Sequence, residues 1–575
     1  MHDSDLPMPY ARLIRQWEEA GAALANTVST YLELCLSLGK LSLSPQAMPR
    51  EDLASRIDSI LEPGAQHTAL VTQLAQCQSV LSRTRNRLVS PVYSLPELVL
   101  SKIFSHVVYD CDPVDYDGVE WQVQTFYRRL YTLLGVCTIW RDFGISMVTF
   151  WSIVPVIRES KLLVSRQTVS LGLSRSHTAP LDLVIVVPGF TPQDILRSVA
   201  HHTSRIRSIH IASDTVLTVQ NIIRRLTEFD ELGVLSELSL CVTDLLCIGR
   251  TGNSVYTRFL TENHGLLKLT QSLTRVSLYG ASFIWREVRF SIKLVELRLQ
   301  QVVFGSSSHV HEFVQAISSA LELRYLTLIS LTSFLDPGPE TGARPTVSLP
   351  KLQSLVLEDL YHNPLSIMLN SIEPGSHKLT IYLTDKCLLN AMSTGVDHVA
   401  PVNDNVLYSL LQKTPVDTLI LGGHYSGELI EPDRIFHIFN ASKTVKTLEI
   451  EGCIIDTDFC FSLKVPPGAH TPSLTGHHFP VIPQWRITKA RVVNPESFKE
   501  LVLSHRVHTM VLEGARDHSS NNPEEWRPLK SQDEIIEWLS QNIPHFRFEP
   551  PRSLPSRFES RAWQRLRLDN GDLAL

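Results

Sequence analysis

A six-residue pattern, apolar-x-x-apolar-x-apolar, recurs between residues 181 and 512 and limits what this chain can fold into more than any other feature. Because side chains alternate across a strand, the last two apolar residues of each copy face the same side. Several successive copies begin 21 or 29 residues apart, which is long enough for one strand and one return segment. The copies begin at Leu181, Ile206, Leu235, Leu273, Leu294, Leu323, Leu352, Val416, Val445 and Val507, with weaker copies at Lys378 and Ile487.

Helical patterns occupy several of the intervals between these strands. Residues Val310, Phe313, Val314, Ile317 and Leu321 follow the spacing of one helix face. A unit of one strand and one helix buries its apolar surface only by stacking on its neighbours, so the pattern predicts a solenoid. A doubly wound α/β sheet also alternates strand and helix, but it does not require the same six-residue pattern in every strand.

The period and the strand pattern resemble irregular leucine-rich repeats, although the asparagine of that family after the strand is mostly missing. Pro- and Gly-rich insertions at 336–345 and 463–483 predict loops between repeats. A helix through Ile535, Ile536 and Leu539 is expected to close the open end of the solenoid. The chain from Pro544 onward is predicted to be a loose tail.

A second informative region precedes the repeats, between Ser90 and Pro155. Ser94 and Glu97 have capping-box spacing and predict a helix start. A second helix is predicted from Arg128 to Phe143, and the acidic segment from Asp110 to Tyr127 is predicted to be a solvated loop. A unit of about sixty residues is small for a self-sufficient core, so other parts of the chain or a partner should cover some of its apolar surface.

The short motifs of this region, Leu95–Leu98, Ile103–Phe104, Val136–Arg141 and Phe150–Trp151, resemble an F-box. The chain is therefore similar to F-box proteins with irregular leucine-rich repeats, of the fungal F-box-like type. This resemblance implies binding to a Skp adaptor, and through it to a cullin, within an SCF-type ubiquitin ligase. The alternative is an ordinary helical subdomain. The implied adaptor-binding residues are Leu95, Pro96, Leu98, Ile103, Phe104, Val136, Cys137, Trp140 and Trp151.

The chain before the F-box region is predicted to be helical, with helices in 10–40, 51–62 and 66–89. In the last of these, apolar residues follow heptad spacing over about three heptads. This seam predicts either a dimerising coiled coil or a helix packed against its own F-box. The seam residues are Leu70, Leu74, Cys77, Leu81 and Leu88.

The predicted fold class is an α/β solenoid of leucine-rich-repeat type, preceded by an all-α N-terminal region containing an F-box. The predicted segments are an N-terminal helical segment (1–50), a helical or short coiled-coil segment (51–89), the F-box domain (90–157), the irregular repeat domain (158–515) and a C-terminal cap helix with a tail (516–575).

Composition excludes several other classes of protein. The 575 residues are 43% hydrophobic and 19% charged, as in a globular protein, and the formal charge of -6 predicts no nucleic-acid partner. The N-terminus lacks the pattern of a secretory signal, and the most apolar run is too short for a bilayer, so no membrane partner and a cytoplasmic or nuclear location are expected. The nine cysteines show no metal-ligand spacing, and no nucleophile–base–orienter set is visible. The sequence predicts no cofactor, no metal site and no enzymatic activity.

Two functions remain. The first is a substrate receptor that holds a Skp adaptor through the F-box and an unknown protein substrate through the repeats. The second is a repeat-scaffold interaction module without a role in a ubiquitin ligase. Alternation across the strands places Tyr279, Arg298 and Tyr325 on the concave face, on three successive strands. Because Tyr and Arg dominate interface hot spots, these three are the predicted target-binding residues.

Overall fold

The computed structural model describes residues 8–41, 50–61, 66–89, 95–109, 119–157, 166–187, 193–228, 233–243, 264–335, 346–392, 399–422, 431–465, 479–519 and 522–549. Contacts divide the chain between Pro96 and Glu97 into two compact units. The tail after residue 550 and the insertion at 336–345 lie outside the described residues, as does most of 463–483.

The helices are α1 (Met8–Leu41), α2 (Arg50–Leu61), α3 (Gln66–Val89), α4 (Glu97–Tyr109), α5 (Val119–Val136), α6 (Thr138–Ser146), α7 (Val148–Trp151), α8 (Arg166–Arg175), α9 (Gln193–Ala200), α10 (Val216–Glu228), α11 (His264–Thr270), α12 (Ser307–Ile317), α13 (His362–Ser371), α14 (Asp404–Lys413), α15 (Pro432–Ala441), α16 (Thr457–Leu463), α17 (Pro495–Ser504) and α18 (Glu534–Asn542).

The strands are β1 (Ile153–Ile157), β2 (Leu181–Val186), β3 (Ile206–Ser213), β4 (Glu237–Val242), β5 (Arg275–Tyr279), β6 (Glu296–Gln300), β7 (Val303–Ser306), β8 (Tyr325–Ile329), β9 (Thr332–Phe334), β10 (Ser354–Glu358), β11 (Lys378–Leu383), β12 (Leu389–Ala391), β13 (Val399–Pro401), β14 (Thr418–Gly422), β15 (Thr447–Glu451), β16 (Ile454–Ile455), β17 (Gln484–Thr488), β18 (Arg491–Val492), β19 (Thr509–Glu513), β20 (Arg516–Ser519), β21 (Asn522–Pro528) and β22 (His545–Glu549).

The first unit contains α1, α2 and α3. Every described side chain of α1 between Arg12 and Leu38 is exposed. The leucines of the predicted heptad seam on α3, among them Leu70, Leu74 and Leu81, are exposed as well. The helices of this region are therefore where the sequence predicts them, and the partner of the seam stays a prediction.

The second unit is built on one parallel sheet of 14 strands, taken in chain order: β1, β2, β3, β4, β5, β6, β8, β10, β11, β14, β15, β17, β19 and β22. The four copies that begin at Leu273, Leu294, Leu323 and Leu352 form β5, β6, β8 and β10, which are parallel neighbours, as successive units of a solenoid should be. Along β5, β6 and β10, buried pattern residues alternate with half-buried ones over the first four positions. One continuous apolar core runs along the buried side of the sheet, from Val154 to Ile543. The fold is mixed α/β and solenoid-like.

The strands also share a feature that the hydrophobic pattern does not contain. The residue directly after β5, β6, β8, β10, β15, β17 and β19 has a positive φ, between 48° and 69°. Its backbone N–H donates to the carbonyl of the last paired residue on the next strand, for example Gly280 to Gln300 at 3.0 Å and Gln301 to Ile329 at 2.9 Å. This repeated bend turns the chain out of the sheet after each strand. The residues in this conformation are Gly280, Gln301, Ser330, Asp359, Gly452, Lys489 and Gly514.

The structure corrects four predictions about boundaries. The weaker repeat predicted to begin at Ile487 is placed too late in the chain. Its strand, β17, covers Gln484–Thr488, and the buried Trp485 and Ile487 are the last two apolar residues of the pattern. The segment His545–Glu549 is the last strand of the sheet rather than tail. The described part of the predicted acidic loop, from Val119 to Tyr127, is the first half of α5. Its side chains at Val123, Phe126 and Tyr127 are buried.

The fourth correction concerns the end of the F-box domain, predicted at residue 157. β1 (Ile153–Ile157) pairs in parallel with β2 and so belongs to the sheet. All five residues of β1 are buried, because Val154 and Val156 face the repeat core while Ile153 and Ile157 face the helices that precede the strand.

Candidate protein-binding surfaces

The helices α4 to α7, called the helical unit below, pack around aromatic side chains. The ring of Phe104 lies 5.2 Å from Trp140, 5.2 Å from Phe143 and 6.0 Å from Phe150, measured between centroids. The pairs with Trp140 and Phe143 are edge-to-face and the pair with Phe150 is stacked, and aromatic pairs of both kinds add to the stability gained from burial alone. Phe104 is fully buried, so its side chain holds the helices together.

The helical unit covers the first two strands of the sheet. Its core cluster includes Ile153 and Ile157 of β1 and Val184 of β2. The hydroxyl of Tyr127 donates to the carbonyl of Ile153, and burial raises the pKa of this phenol well above its usual range. The apolar surface that sixty residues cannot cover alone is thus partly covered by the sheet.

The helix predicted from Arg128 to Phe143 is two helices. Cys137 is extended, with φ -158° and ψ 171°, and its sulfur accepts a hydrogen bond from the backbone N–H of Trp140 at 3.4 Å. Cys137 therefore separates α5 from α6 as the N-cap of α6. The indole Nε1 of Trp140 is buried without a hydrogen-bond partner among the described residues.

The structure places the predicted adaptor-binding residues in three environments. Leu98 and Val136 are both 58% exposed, and Pro96 is exposed as well. Leu95, Ile103, Cys137 and Trp140 are half-buried, whereas Phe104 and Trp151 are inside the core. The first of the two compact units ends at Pro96. Leu95 and Pro96 therefore belong to the first unit, and the other seven predicted adaptor-binding residues belong to the second.

An apolar row on α4 adds Val99 and Val107 to the predicted residue Ile103. Val99, Ile103 and Val107 are spaced four residues apart and therefore lie in one row along the helix. Val99 and Val107 are exposed, while Leu100, Phe104 and Val108 form the buried row beside them. The signal in the sequence was that α4 is apolar on more than one face, which is typical of a helix with a second partner.

The predicted target-binding residues lie on the side of the sheet that faces away from the core, called the sheet face below. Tyr279, Arg298 and Tyr325 are on the neighbouring strands β5, β6 and β8. Arg298 pairs in register with Ser277 and Thr327, and its guanidinium donates to Oε1 of Gln300 at 3.3 Å. Tyr325 donates its hydroxyl to Gln353 at 3.0 Å. The three residues share one exposed side of adjacent strands, on a diagonal.

Charged groups on the sheet face are held in pairs. The Arg275 guanidinium lies 2.7 Å from the Glu237 carboxylate, and Arg486 lies 3.3 Å from Glu513. Near the first strands, the buried carboxylate of Asp182 accepts from Arg207 at 2.8 Å and from the Ser208 hydroxyl at 2.6 Å. A carboxylate removed from water needs such partners, so these pairs fix the side chains of the face in place.

Among the thiols of the described repeats, Cys387, Cys453 and Cys460 are buried and Cys241 is half-buried. Burial raises the pKa of Cys241 to about 11 and the pKa of Cys460 to about 12. Within the described ranges, no group of three His, Cys, Asp or Glu residues has the arrangement of a metal site, and no helix combines the length and apolar character needed to cross a bilayer.

No protein-family profile and no curated protein sequence matches this chain. Among solved structures, a similar chain belongs to a crystal structure of the Rad7 and Elc1 complex in yeast. The two chains are 11% identical over an alignment that covers 79% of this chain and 94% of that chain, with a TM-score of 0.31. That TM-score is too low to establish a shared fold.

Proposed function

We propose that this protein is the substrate-receptor subunit of an SCF-type ubiquitin ligase. The helical unit binds a Skp adaptor, and through it a cullin, and the sheet face binds a target protein in the cytoplasm or nucleus. The protein itself is not an enzyme, because the ubiquitin-transfer chemistry belongs to its partners.

The observation that carries the adaptor part is the exposed apolar surface of α4 and α5. Leu98 and Val136 are more than half exposed, and Val99 and Val107 extend this surface along α4. Exposed apolar side chains on one small helical unit are typical of a protein-binding site. Leu98 and Val136 also belong to the motifs that resemble an F-box, so the exposure and the resemblance support the same partner.

The repeat part of the proposal is a solenoid of leucine-rich-repeat type. In each unit that has the left-handed bend after its strand, the ninth residue counted from the first apolar residue of the pattern is buried. Leucine-rich repeats carry Asn or Cys at this position. Here that residue is Cys453 in one unit and a small or aliphatic residue in the others. The buried ninth residues are Ala281, Val302, Leu331, Leu360, Cys453, Ala490 and Ala515.

A repeat scaffold without a ligase role is the second candidate. This function is supported by the apolar core that the helical unit shares with β1 and β2, because these helices then stabilise the start of the sheet even without a partner. It does not account for the exposed apolar residues Leu98, Val99 and Val107 on α4.

Co-purification of the full-length protein with a Skp adaptor tests the proposal. The double variant Leu98→Asp/Val136→Asp should weaken adaptor binding at least about 30-fold, which corresponds to about 2 kcal/mol, the loss expected from even one apolar anchor of an interface. The variant Leu217→Asp/Leu503→Asp is the matched control, because these leucines, on α10 and α17, are also more than half exposed. Normal adaptor binding by a folded Leu98→Asp/Val136→Asp protein would favour the scaffold function.

A further inference from the structure

Two serines create a depression on the sheet face between β3 and β6. In one row across the sheet, His210, Ser239, Ser277 and Arg298 are successive register partners. The two central side chains are small and the two outer ones are large, so the surface dips at the serines. The cavity has a volume of about 40 Å³, which is room for about three water molecules.

The neighbouring row of residues supplies charge to this cavity, but no net charge. Glu237, Arg275 and Glu296 follow one another in register and line the cavity together with Arg298. Two guanidinium groups and two carboxylates cancel, and the Arg275–Glu237 pair is only 2.7 Å apart. The lining is therefore rich in both hydrogen-bond donors and acceptors at a formal charge of zero.

His210 gives independent evidence that this cavity takes a ligand. The residue is only 7% exposed and lines the cavity, and its Nδ1 atom is buried without a hydrogen-bond partner among the described residues. Buried polar atoms in folded proteins nearly always have a partner, and the His210 side chain lines the cavity, so a polar group bound there can supply one to its ring. Burial lowers the pKa of His210 to about 4, so its ring is uncharged at neutral pH.

We propose that this cavity binds the side-chain carboxamide of an Asn or Gln residue of the target protein. A carboxamide has three heavy atoms in its polar group, carries no charge, and offers both N–H donors and a carbonyl acceptor. The serine hydroxyls can donate to its oxygen, and Glu237 and the ring of His210 lie within the same lining to meet its N–H groups. A carboxylate or an ammonium group would instead bring an uncompensated charge into a neutral site. This inference rests on the proposed target-binding role of the sheet face.

Saturation-transfer NMR on the full-length protein tests the proposal with two probes of nearly equal shape. The probes are N-acetylglutamine methylamide and N-acetylglutamate methylamide at pH 7. The glutamine probe should receive saturation from the protein, and the glutamate probe should receive at least fivefold less. An equal or stronger signal from the glutamate probe, or no signal from either, overturns the carboxamide assignment.

Variants locate the binding. Ser277→Leu fills the cavity and should abolish the signal of the glutamine probe. Ser354→Leu is the matched control, because Ser354 is also a half-buried serine of the sheet face, on β10, outside the cavity lining. Should Ser277→Leu fail to fold, Ser239→Val narrows the same floor with a smaller change and should lower the signal at least threefold. A signal that survives in the folded cavity variants, or tighter binding of free glutamine than of the blocked probe, refutes a site for a target side chain.

The probes require no adaptor. Failure of this inference therefore leaves adaptor co-purification unchanged, whereas failure of the proposed ligase function leaves the probe signal unchanged.

Discussion

The indole Nε1 of Trp151 donates a hydrogen bond to the carbonyl oxygen of Gly144, 2.9 Å away. The Trp151 ring is fully buried, and the guanidinium carbon of Arg175 lies 4.3 Å from its centroid. This bond ties α7 to α6 and closes the helical unit where it meets the sheet. Trp151 is therefore a structural residue of this protein, and a contact with the adaptor must come from its exposed neighbours.

The close packing around Gly144 predicts a sharp difference between two helical glycines. A Cβ atom at Gly144 would lie 2.5 Å from Cδ2 of Leu134 and 3.0 Å from Cε1 of Phe104. Gly144→Ala should therefore destabilise the helical unit by about 1–3 kcal/mol. Gly135→Ala should stabilise it by about 0.5–1 kcal/mol, because nothing lies within 4 Å of the new Cβ.

Amide hydrogen exchange in α4 to α6 measures both effects within the intact chain. Equal protection in the two glycine variants would mean that the region around Gly144 is packed more loosely than the structure indicates.

The sheet face should be separable from the helical unit by mutation. Replacing Tyr279, Arg298 and Tyr325 by Ala should leave adaptor binding intact and abolish capture of target proteins, because aromatic and Arg side chains dominate interface energies. Quantitative comparison of the captured proteins, with and without the replacements, checks this. Target capture that survives the triple replacement but is lost on deletion of 466–478, which keeps the buried Leu463, Phe479 and Ile482, would place the target site on that insertion.

His210 predicts a loss of stability in mild acid. Its pKa falls from 6.5 to about 4 on folding because burial disfavours the charged ring. Between pH 6.5 and pH 4 the unfolded chain binds a proton at His210 that the folded chain does not. The contribution of neutral His210 to the free energy of unfolding is therefore complete above pH 6.5 and declines as the pH falls toward 4. The full decline is about 3 kcal/mol. We expect the free energy of unfolding of wild type minus that of His210→Phe to fall as the pH is lowered from 7 to 4. A difference that stays constant over this range would contradict the prediction.

The seam on α3 predicts self-association through a coiled coil. Leu74 and Leu81 are exposed in the single chain and belong to a heptad pattern, so a second copy can cover them. We expect wild type to sediment as a dimer and Leu74→Asp/Leu81→Asp as a monomer. The control is Val136→Asp, which places a charge on an exposed apolar residue of the other unit. A monomeric wild type would favour the alternative that the seam packs within its own chain.

The sequence by itself determined which strand residues are buried, because side chains alternate across a strand. Leu278, Leu299 and Leu328 occupy the same buried position in successive units for this reason. The helices were visible for a similar reason, since a periodic apolar stripe records which side of a helix is buried. The spacing of 21 to 29 residues between several successive copies also leaves room for the crossover that parallel strands need.

Only the tertiary structure decided how the units connect and what their free side displays. The left-handed bends after the strands occur at Gln301, Ser330, Asp359 and Lys489 as well as at glycines, so no residue type marks them. They are stabilised by N–H groups that donate to the neighbouring strand, which is a property of stacking and not of the local sequence. The cavity at Ser239 and Ser277 likewise exists because register places two small residues, 38 positions apart, side by side.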